Sequence, residues 1–447
     1  MNINPAIFKA YDIRGIYPDD LNEEISYRIG RAFVILLGKK NPKIVVGRDK
    51  RLSSDSIFNS LTSGLVDQGA QVIDIGLSTT PLLYFSTAFF NYDGGINITA
   101  SHNPFNYNGF KLVREGAVPV SGESGIEEIK EMVITNSFEE VKKGKVIKKQ
   151  VFKQYKDFNL KGFDLKKIKP LKIIFDTANA VPGAFLPEFM KETKCETEYL
   201  FLELDGRFPN HEPDPLKKEN ILALSQEVLQ KKADLGIAFD GDGDRIKFVD
   251  EKGEPIDGDL VTCLISKLIL KERPGEKILY DLRSSNIVAE TIKKNGGLAL
   301  VGRIGHSFIK ERMRKEDIFF AGELSGHYYL KDHFFCECPF FVLFKVLETI
   351  SLSDQTLSEI ILPFKKYFNS GEINFKASDK EKVLRELEKK FETGKVSKLD
   401  GLRVDFNEWW FLVRPSNTDP VIRLMIEAKT KEILEEKTHL FSDFLHG

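Results

Sequence analysis

Long apolar segments are scarce in this chain of 447 residues. The most apolar stretch, residues 334–347, is interrupted by Glu337 and Lys345 and is too short to span a bilayer. The N-terminal residues lack the basic region and the apolar core that define a signal peptide. We therefore expect a cytoplasmic protein that has no membrane partner.

Cysteine is also scarce, and the net charge is small. The four cysteines are scattered along the chain, and the spacing of Cys336 and Cys338 is not that of a usual zinc site. This pattern predicts reduced thiols that are mostly buried. A formal net charge of -2 gives no sign of a nucleic-acid partner.

One α/β pattern recurs three times along the first part of the chain. Each copy opens on a short strand rich in β-branched residues, and these strands begin at Lys43, Lys172 and Lys277. Polar residues typical of a helix N-terminus and then a helical pattern follow each strand. Strands that alternate with helices predict mainly parallel sheets, and the chain is too long for one hydrophobic core.

The third strand of each copy leads into an unusual loop, namely residues 99–102, 240–245 and 322–327. Ligands of open α/β sheets bind beyond the carboxyl ends of the strands, where all three loops are expected. The fold class is therefore predicted to be α/β, with three tandem mixed-sheet α/β domains of similar topology, a smaller C-terminal α+β domain and a central cleft. The predicted domains are 1–150, 151–252, 253–366 and 367–447.

Ser101 lies in the first of these loops. Pro104 disfavours helical geometry at Asn103, so a short strand is predicted to end in a rigid turn with Ser101 at its tip. A serine in such a turn is usually only a turn residue. The other loops favour a chemical role because they offer a metal site and a phosphate site.

The second loop carries three carboxylates, Asp240, Asp242 and Asp244, separated by glycines. Hard oxygen ligands select Mg²⁺ or Ca²⁺. A calcium-binding EF-hand is disfavoured because Arg245 stands where that loop needs glycine, and residues 246–249 read as a strand. A phosphorylated Ser101 would supply a further oxygen to Mg²⁺, and Arg245 could neutralise phosphate charge during transfer.

Two further loops suit a sugar phosphate. Arg414 opens a segment dense in donors, residues 414–418, that fits a phosphate dianion, and Arg423 could add to it. The loop at residues 322–327 places a carboxylate, a hydroxyl and an imidazole together, as sugar hydroxyls require.

Lys111, Arg283 and His306 are candidates for proton transfer or charge stabilisation. Lys111 follows Ser101 closely in the sequence, and cationic neighbours together with burial could lower its pKa enough for a general base. Arg283 and His306 are predicted to open helices of the third copy and to face the same cleft.

These motifs, taken in this order, resemble those of the α-D-phosphohexomutases, and most closely those of the phosphomannomutase/phosphoglucomutase branch. The resemblance extends over most of the chain and rests on several separate segments. These segments are residues 9–15, 99–104, 108–111, 206–215, 240–245, 305–310, 322–327 and 414–420.

The resemblance implies an enzyme that interconverts hexose 1-phosphates and hexose 6-phosphates of mannose or glucose. It further implies a phosphoserine at Ser101, a 1,6-bisphosphate that acts as intermediate and activator, and Mg²⁺ held by Ser101, Asp240, Asp242 and Asp244. The implied catalytic residues are Ser101, Lys111, Arg14, His102, Arg245, His306 and Arg283. The implied substrate-binding residues are Tyr11 beside the serine, Glu323, Ser325 and His327 at the sugar hydroxyls, and Arg414, Ser416, Asn417, Thr418 and Arg423 at the phosphate that is not transferred.

Two departures from the family pattern stand out. Many relatives have lysine where this chain has Arg283, and arginine does not readily give up its proton, so electrostatic stabilisation is the expected role. Residues 334–339 replace the small and acidic residues that relatives often carry. The alternatives are a phosphoglucosamine mutase, a Mg²⁺-dependent sugar phosphatase and a non-enzymatic binding module. The partners expected are hexose phosphates, for a monomer or weak homo-oligomer.

Overall fold

The computed structural model describes residues 3–377, 379–415 and 421–446. The chain forms two compact units, which are treated separately below. The larger unit contains Met1–Gly258, Lys310–Ala321 and Ser325–Ile360, and the smaller unit contains Asp259–Ile309, Gly322–Leu324 and Ile361–Gly447. Among the described residues, the helices all lack the length and apolar character needed to cross a membrane.

The first sheet of the larger unit has the strand order β1-β5-β4-β2-β3-β7, with β6 paired to β5. The strands β2, β3, β4 and β7 run parallel, whereas β5 pairs antiparallel with both β1 and β4. The elements are β1 (Ile13–Ile16), α1 (Glu23–Leu37), β2 (Lys43–Arg48), α2 (Ser54–Asp67), β3 (Gln71–Leu77), α3 (Thr80–Phe89), β4 (Gly94–Ile98), β5 (Tyr107–Arg114), β6 (Val118–Pro119), α4 (Ile126–Thr135) and β7 (Lys145–Lys148).

Local sequence explains how α1 and α2 begin, end and pack. The side chain of Asn22 accepts a hydrogen bond from the backbone N–H of Ile25 and so caps α1, which ends at Gly38 in the left-handed region. The two helices cross closely at glycines: a Cβ on Gly30 would lie 2.4 Å from the carbonyl oxygen of Leu61. This close crossing buries the apolar faces of both helices against the first sheet.

The second sheet of the larger unit has the order β12-β11-β10-β8-β9. The strands β8, β9 and β10 run parallel, and β10, β11 and β12 form an antiparallel meander. The elements are α5 (Phe152–Leu160), β8 (Lys172–Asp176), α6 (Leu186–Met190), β9 (Glu196–Leu200), α7 (Lys218–Lys231), β10 (Leu235–Phe239), β11 (Ile246–Asp250) and β12 (Pro255–Ile256).

Elements of the third α/β copy fall in both units. In the smaller unit β13 and β14 pair in parallel, and in the larger unit β16 and β17 pair antiparallel. The elements are α8 (Gly258–Glu272), β13 (Lys277–Asp281), α9 (Asn286–Lys294), β14 (Leu298–Gly302), α10 (His306–Glu316), β15 (Phe320–Gly322), β16 (Tyr328–Leu330), β17 (Cys336–Glu337), α11 (Pro339–Leu352) and α12 (Leu357–Ile361).

The C-terminal part of the smaller unit contains one antiparallel sheet of order β18-β23-β22-β21-β20, in which β19 also pairs with β23. One face of this sheet packs against the two helices of the segment in a core that includes Leu387, Phe411 and Phe441. The elements are β18 (Phe368–Asn369), β19 (Ile373–Lys376), α13 (Lys380–Lys390), β20 (Lys395–Ser397), β21 (Leu402–Asp405), β22 (Trp409–Pro415), β23 (Val421–Ala428) and α14 (Lys431–His446).

The predicted fold class is confirmed, with α/β copies followed by a C-terminal α+β segment. The strand that leads into the loop at residues 322–327 is shorter than its apolar run: the run begins at Ile318, but β15 starts at Phe320. The chain leaves α10 through Asp317, which has a φ of 53°, and the N–H of Ile318 still donates to the carbonyl of Met313. The first residues of the apolar run therefore belong to the end of the helix and not to the strand.

The crossing of α1 and α2 predicts a stability effect. In Gly64→Ala the added Cβ would lie 2.0 Å from the carbonyl oxygen of Tyr27. Overpacking of a buried contact costs about 1–3 kcal/mol, so we expect a lower melting temperature by differential scanning calorimetry. The control is Gly122→Ala, where the nearest atom to the new Cβ lies 3.7 Å away. Equal melting temperatures for the two variants would contradict this account.

Candidate active site

Ser101 lies just after β4 in a strained backbone conformation. Its φ is 51°, in the left-handed region that residues other than glycine seldom adopt. The side chain is buried, and its Oγ donates a hydrogen bond of 2.8 Å to Oδ2 of Asp240. Strained residues of this kind cluster at functional sites because the surrounding structure must hold them in place.

The loop between β10 and β11 packs directly against the Ser101 loop. A Cβ on Gly241 would lie 2.2 Å from the carbonyl oxygen of Ser101, so only glycine allows this approach. Gly243 has a φ of 69°, which lets the acidic loop curl back between the strands of an antiparallel pair. The two glycines therefore serve both the contact and the turn.

Asp240, Asp242 and Asp244 are buried, and each offers a carboxylate oxygen within 4.8 Å of the others. Burial, Asp244 and Asp242 together raise the pKa of Asp240 well above its ordinary value. Burial acts in the same upward direction on Asp244, yet Lys111, His327 and Arg245 outweigh it and hold the pKa of Asp244 well below its ordinary value. The cluster thus concentrates negative charge that calls for a cation.

The donor set fits a magnesium ion. Three carboxylates from one tight loop offer the hard oxygen ligands that Mg²⁺ prefers. Within the part of the chain that the structure describes, the buried Oδ1 of Asp242 has no hydrogen-bond partner, which is costly for a carboxylate oxygen unless a cation binds it. The β-strand that follows at Ile246–Asp250 confirms that this loop is not an EF-hand, which would continue into a helix.

Lys111 lies on β5, and its surroundings differ from those expected. Its Nζ is 2.6 Å from Oδ2 of Asp242 and also contacts Oδ2 of Asp244. Burial acts to lower the pKa of Lys111, but these two carboxylates outweigh burial and raise it. The expectation of a pKa lowered by cationic neighbours is therefore wrong for this arrangement, and the role of Lys111 as general base stays a prediction.

Thr80 was missed in the sequence. Its Oγ1 donates a 2.5 Å hydrogen bond to Oδ2 of Asp242, and its N–H donates to the carbonyl of Asp242 at 2.9 Å. The amide of Asn97 in turn donates to Oγ1 of Thr80 at 2.9 Å. Thr80 opens α3, and a threonine beside a helix cap gives no signal in the sequence that separates it from an ordinary helix start.

Arg14 and His102 border the Ser101 loop. Arg14, on β1, donates to Oδ1 of Asn103 at 2.7 Å and forms an ion pair of 2.7 Å with Asp12. Nδ1 of His102 lies 3.2 Å from Oγ of Ser101. Burial is the main reason that the pKa of His102 is well below its ordinary value, with Arg245 and Arg14 adding to the effect, so this imidazole is neutral. Tyr11 is half-buried just before β1.

Ser325 and His327, two of the residues predicted to read sugar hydroxyls, lie beside the acidic loop in the larger unit. Nε2 of His327 lies 3.1 Å from Oδ1 of Asp244, and its Nδ1 lies 2.9 Å from the hydroxyl oxygen of Ser325. Nε of Arg245 lies 3.3 Å from the same Nε2. The structure therefore brings Arg245, Ser325 and His327 to the metal-ligand candidates.

Residues 334–339, one of the two departures from the family pattern noted in the sequence, contribute Glu337 to a buried ion pair. Glu337 forms contacts of 2.9 and 3.1 Å with Nζ of Lys310, and both side chains are fully buried in the larger unit. Nζ of Lys310 also lies 4.2 Å from the ring centroid of Tyr84. Phe334 and Phe335 precede this pair with φ values of 58° and 57°, which is unusual for bulky residues.

Within the smaller unit, Asp281 links Arg283 to the loop of Glu323. The guanidinium of Arg283 pairs with Asp281 at 2.8 Å, and Oδ2 of Asp281 also accepts the N–H of Leu324 at 2.9 Å. Oε1 of Glu323 accepts the N–H of Gly305 at 3.2 Å. The carboxylate of Asp281 therefore holds both the guanidinium of Arg283 and the backbone of the loop that carries Glu323.

One placement of these residues differs from the prediction. His306 is the first residue of α10, as expected, but Arg283 does not open a helix. The helix α9 begins at Asn286, and Ser285 caps it by accepting from the N–H of Ile287. Arg283 instead lies in the turn after β13, where its own N–H and its guanidinium both donate to Asp281.

Arg414 and Arg423 lie directly opposite each other on β22 and β23. Like charges in this position repel, so each needs a carboxylate partner or an anion. Arg414 pairs with Asp400 at 3.2 Å, and Arg423 pairs with Glu372 at 3.3 Å. Each guanidinium is therefore balanced by a carboxylate of its own. The predicted phosphate ligands Ser416, Asn417 and Thr418 lie outside the described residues.

The chain matches family models along most of its length. The phosphoglucomutase/phosphomannomutase alpha/beta/alpha domains I, II and III match residues 5–140, 153–253 and 257–367. The C-terminal domain of the same family matches residues 372–441.

Relatives and solved structures agree with this match. The chain is 39% identical over 435 residues to the phosphomannomutase of Vibrio cholerae, which covers 94% of both chains. It is 40% identical over 440 residues to the phosphomannomutase of Methanocaldococcus jannaschii, covering 96% of this chain and 95% of that one. A crystal structure of a phosphoglucomutase/phosphomannomutase family protein from Burkholderia thailandensis superimposes with a TM-score of 0.92 at 31% identity, over 99% of this chain and 97% of that chain. This chain therefore belongs to the phosphoglucomutase/phosphomannomutase family.

Proposed function

We propose that this protein is a phosphohexomutase that interconverts the 1-phosphates and 6-phosphates of mannose and glucose. The single observation that carries the proposal is the buried hydroxyl of Ser101, which donates to Asp240 inside a cluster of three carboxylates. The relatives at 39–40% identity are named phosphomannomutases, which supports the same reaction.

The resting enzyme carries a phosphoryl group on Oγ of Ser101. In the forward half-reaction the bond between Oγ and phosphorus breaks, and a bond between phosphorus and a hydroxyl oxygen of the hexose phosphate forms. The hydroxyl proton passes to a neighbouring base, and a proton is returned to Oγ of Ser101 as it leaves. The role of base is predicted for Lys111, which must first give up its own proton because Asp242 and Asp244 raise its pKa. The resulting 1,6-bisphosphate turns over, and its other phosphoryl group returns to Ser101 by the reverse sequence of bond changes.

Asp240, Asp242 and Asp244, with the phosphoserine, would hold Mg²⁺. The ion supplies positive charge at the transferring phosphoryl group when bound. Arg245 contributes further positive charge beside this loop, because Nε of its guanidinium lies 3.9 Å from Oδ2 of Asp240. The buried position of the serine loop excludes water, which favours transfer to a sugar hydroxyl over hydrolysis.

The smaller unit carries groups that suit a sugar phosphate. Glu323 offers a carboxylate to sugar hydroxyls, and Arg283 acts electrostatically because Asp281 holds its guanidinium charged. Arg414 and Arg423 bind the phosphate that stays on the sugar, which replaces their carboxylate partners as the counter-charge. In the larger unit, the hydroxyl of Ser325 and the imidazole of His327 suit sugar hydroxyls.

An assay separates the mutase from its alternatives. Incubation with mannose 1-phosphate, Mg²⁺ and a trace of glucose 1,6-bisphosphate is expected to yield mannose 6-phosphate, detected by ³¹P NMR. Release of inorganic phosphate at the same rate would identify a phosphatase instead. Parallel assays on glucose, glucosamine and N-acetylglucosamine phosphates rank the sugars, and a preference for glucosamine would identify a phosphoglucosamine mutase.

Replacing the serine tests the phosphoenzyme. Intact-mass spectrometry is expected to show one phosphoryl group on the purified protein and none on Ser101→Ala, because Oγ is its attachment point. The matched control is Ser63→Ala, an exposed serine whose hydroxyl donates only to the carbonyl of Asn59. A phosphoryl group that persists in Ser101→Ala would refute the assignment.

Replacing one carboxylate tests the metal site. Asp242→Asn removes a negative charge from the cluster, and we expect the dissociation constant for Mg²⁺ to rise at least about tenfold, as measured by isothermal titration calorimetry. Asp354→Asn, at a fully exposed carboxylate of the same unit, is the control and should bind Mg²⁺ as the unmodified protein does. Equal affinities in the two variants would exclude Asp242 as a ligand.

Replacing Arg414 tests the phosphate site. Loss of charged hydrogen bonds in Arg414→Ala is expected to weaken hexose phosphate binding by about 1.5–3 kcal/mol, seen as a higher KM. Arg385→Ala, at an exposed arginine paired with Glu381, is the control and should leave KM unchanged. An unchanged KM in Arg414→Ala would place the phosphate elsewhere.

A further inference from the structure

Arg51 is a fully buried arginine just beyond β2, and none of the motifs above includes it. Its guanidinium donates to the carbonyl oxygens of four residues in the Ser101 loop. Nη2 donates to the carbonyl of Ser101 at 2.8 Å and to that of Asn103 at 2.6 Å. Nη1 donates to the carbonyl of Pro104 at 2.5 Å and to that of Tyr107 at 3.0 Å.

Three of these carbonyls, those of Ser101, Asn103 and Pro104, lie in the loop between β4 and β5, and Tyr107 opens β5. The N–H of Tyr107 donates to the carbonyl of Pro104 at 3.1 Å, whereas Pro104 has no N–H to donate. A buried carbonyl without a donor is costly, so the planar fork of one arginine supplies donors to this irregular segment. Lysine could not match this pattern, because its ammonium has three donors on a single nitrogen.

Two contacts hold the carbonyl of Ser101. Nη2 of Arg51 donates to it, and the backbone of Gly241 packs so closely that a Cβ there would lie 2.2 Å from the same oxygen. The left-handed φ of Ser101 then follows from where its carbonyl is fixed, and the direction of Oγ toward Asp240 follows from that φ.

Arg51 is itself held in place. A carboxylate oxygen of Asp49 lies 3.2 Å from its Nε, and the hydroxyl of Ser54 donates to the same carboxylate group at 2.6 Å. The guanidinium carbon also lies 5.0 Å from the ring centroid of Phe208. The segment around Phe208 packs tightly here, because a Cβ on Gly206 would lie 2.3 Å from the carbonyl oxygen of Lys50.

We propose that Arg51 is a positioning residue that locks the Ser101 loop and so aims the phosphoryl-carrying oxygen at the metal-ligand cluster. The inference rests on the proposed function for its effect on catalysis, while its effect on the loop is independent of that function. A loosened loop displaces Oγ from Asp240, which slows transfer, and admits water to the phosphoserine, which speeds its hydrolysis.

The test compares Arg51→Lys with Arg48→Lys. Arg48 lies three residues earlier, and its charged contacts are instead with Asp55 and Asp74. Hydrogen exchange of the segment 99–108, followed by mass spectrometry, is measured first with both substitutions placed in the Ser101→Ala background, where no phosphoryl group can contribute. We expect faster exchange in this segment for Arg51→Lys and no change for Arg48→Lys.

Kinetics in the otherwise unmodified protein give the second readout. Arg51→Lys is expected to lower kcat by about 100-fold, to leave KM for the hexose phosphate within about threefold, and to lose phosphate from Ser101 to water faster than Arg48→Lys does. If Arg51→Lys does not fold, Phe208→Leu removes only the aromatic contact and should show the same changes at smaller size.

The outcomes separate this inference from the proposed function. Unchanged exchange of the segment 99–108 in Arg51→Lys would overturn the positioning role whatever the enzyme does. Faster exchange in Arg51→Lys, together with an unmodified protein that never carries a phosphoryl group, would support the lock and refute the proposed function. Faster exchange with an unchanged kcat would show that catalysis does not need the lock, which overturns the catalytic part of the proposal.

Discussion

The mutual repulsion of three buried carboxylates is the constraint on which the larger unit's site depends. Burial of Asp240, Asp242 and Asp244 would be strongly unfavourable without opposite charge. Lys111 and Arg245 provide such charge from within the chain. Buried charges of this kind are retained where they bind an ion or a ligand, because apolar residues of similar volume would give a folded state at least as stable. The cluster therefore trades stability for the capacity to hold a cation.

The second constraint is the close backbone contact between the Ser101 loop and the acidic loop, which leaves no room for a side chain at Gly241. Gly241 lies against the carbonyl of Ser101, and Arg51 donates a hydrogen bond to the same carbonyl. Because β4 and β10 belong to different sheets of the larger unit, this contact fixes the relation between the serine and the carboxylates. The strain in Ser101 is the consequence, since its backbone follows positions that its neighbours set.

The positions of strands were predicted better from the sequence than the contacts of individual side chains were. The first strands of all three copies were predicted to begin at Lys43, Lys172 and Lys277, and each does, because runs of β-branched residues suit buried strands. Thr80 was missed because its hydrogen bond to Asp242 joins residues far apart in the chain. The pKa direction of Lys111 was wrong because it depends on which charges surround the buried ammonium.

The sequence by itself determined which chemical groups are present and in what order: a serine in a tight turn, carboxylates alternating with glycines, and arginines near the C-terminus. Those features revealed the resemblance to the family, because the spacing of residues within a loop can be read directly from the sequence. Only the tertiary structure decided which groups touch. It paired Lys111 with the acidic loop and placed Arg51 on the carbonyl of Ser101. Contacts between distant residues depend on how sheets and helices pack, and that packing is a property of the whole unit.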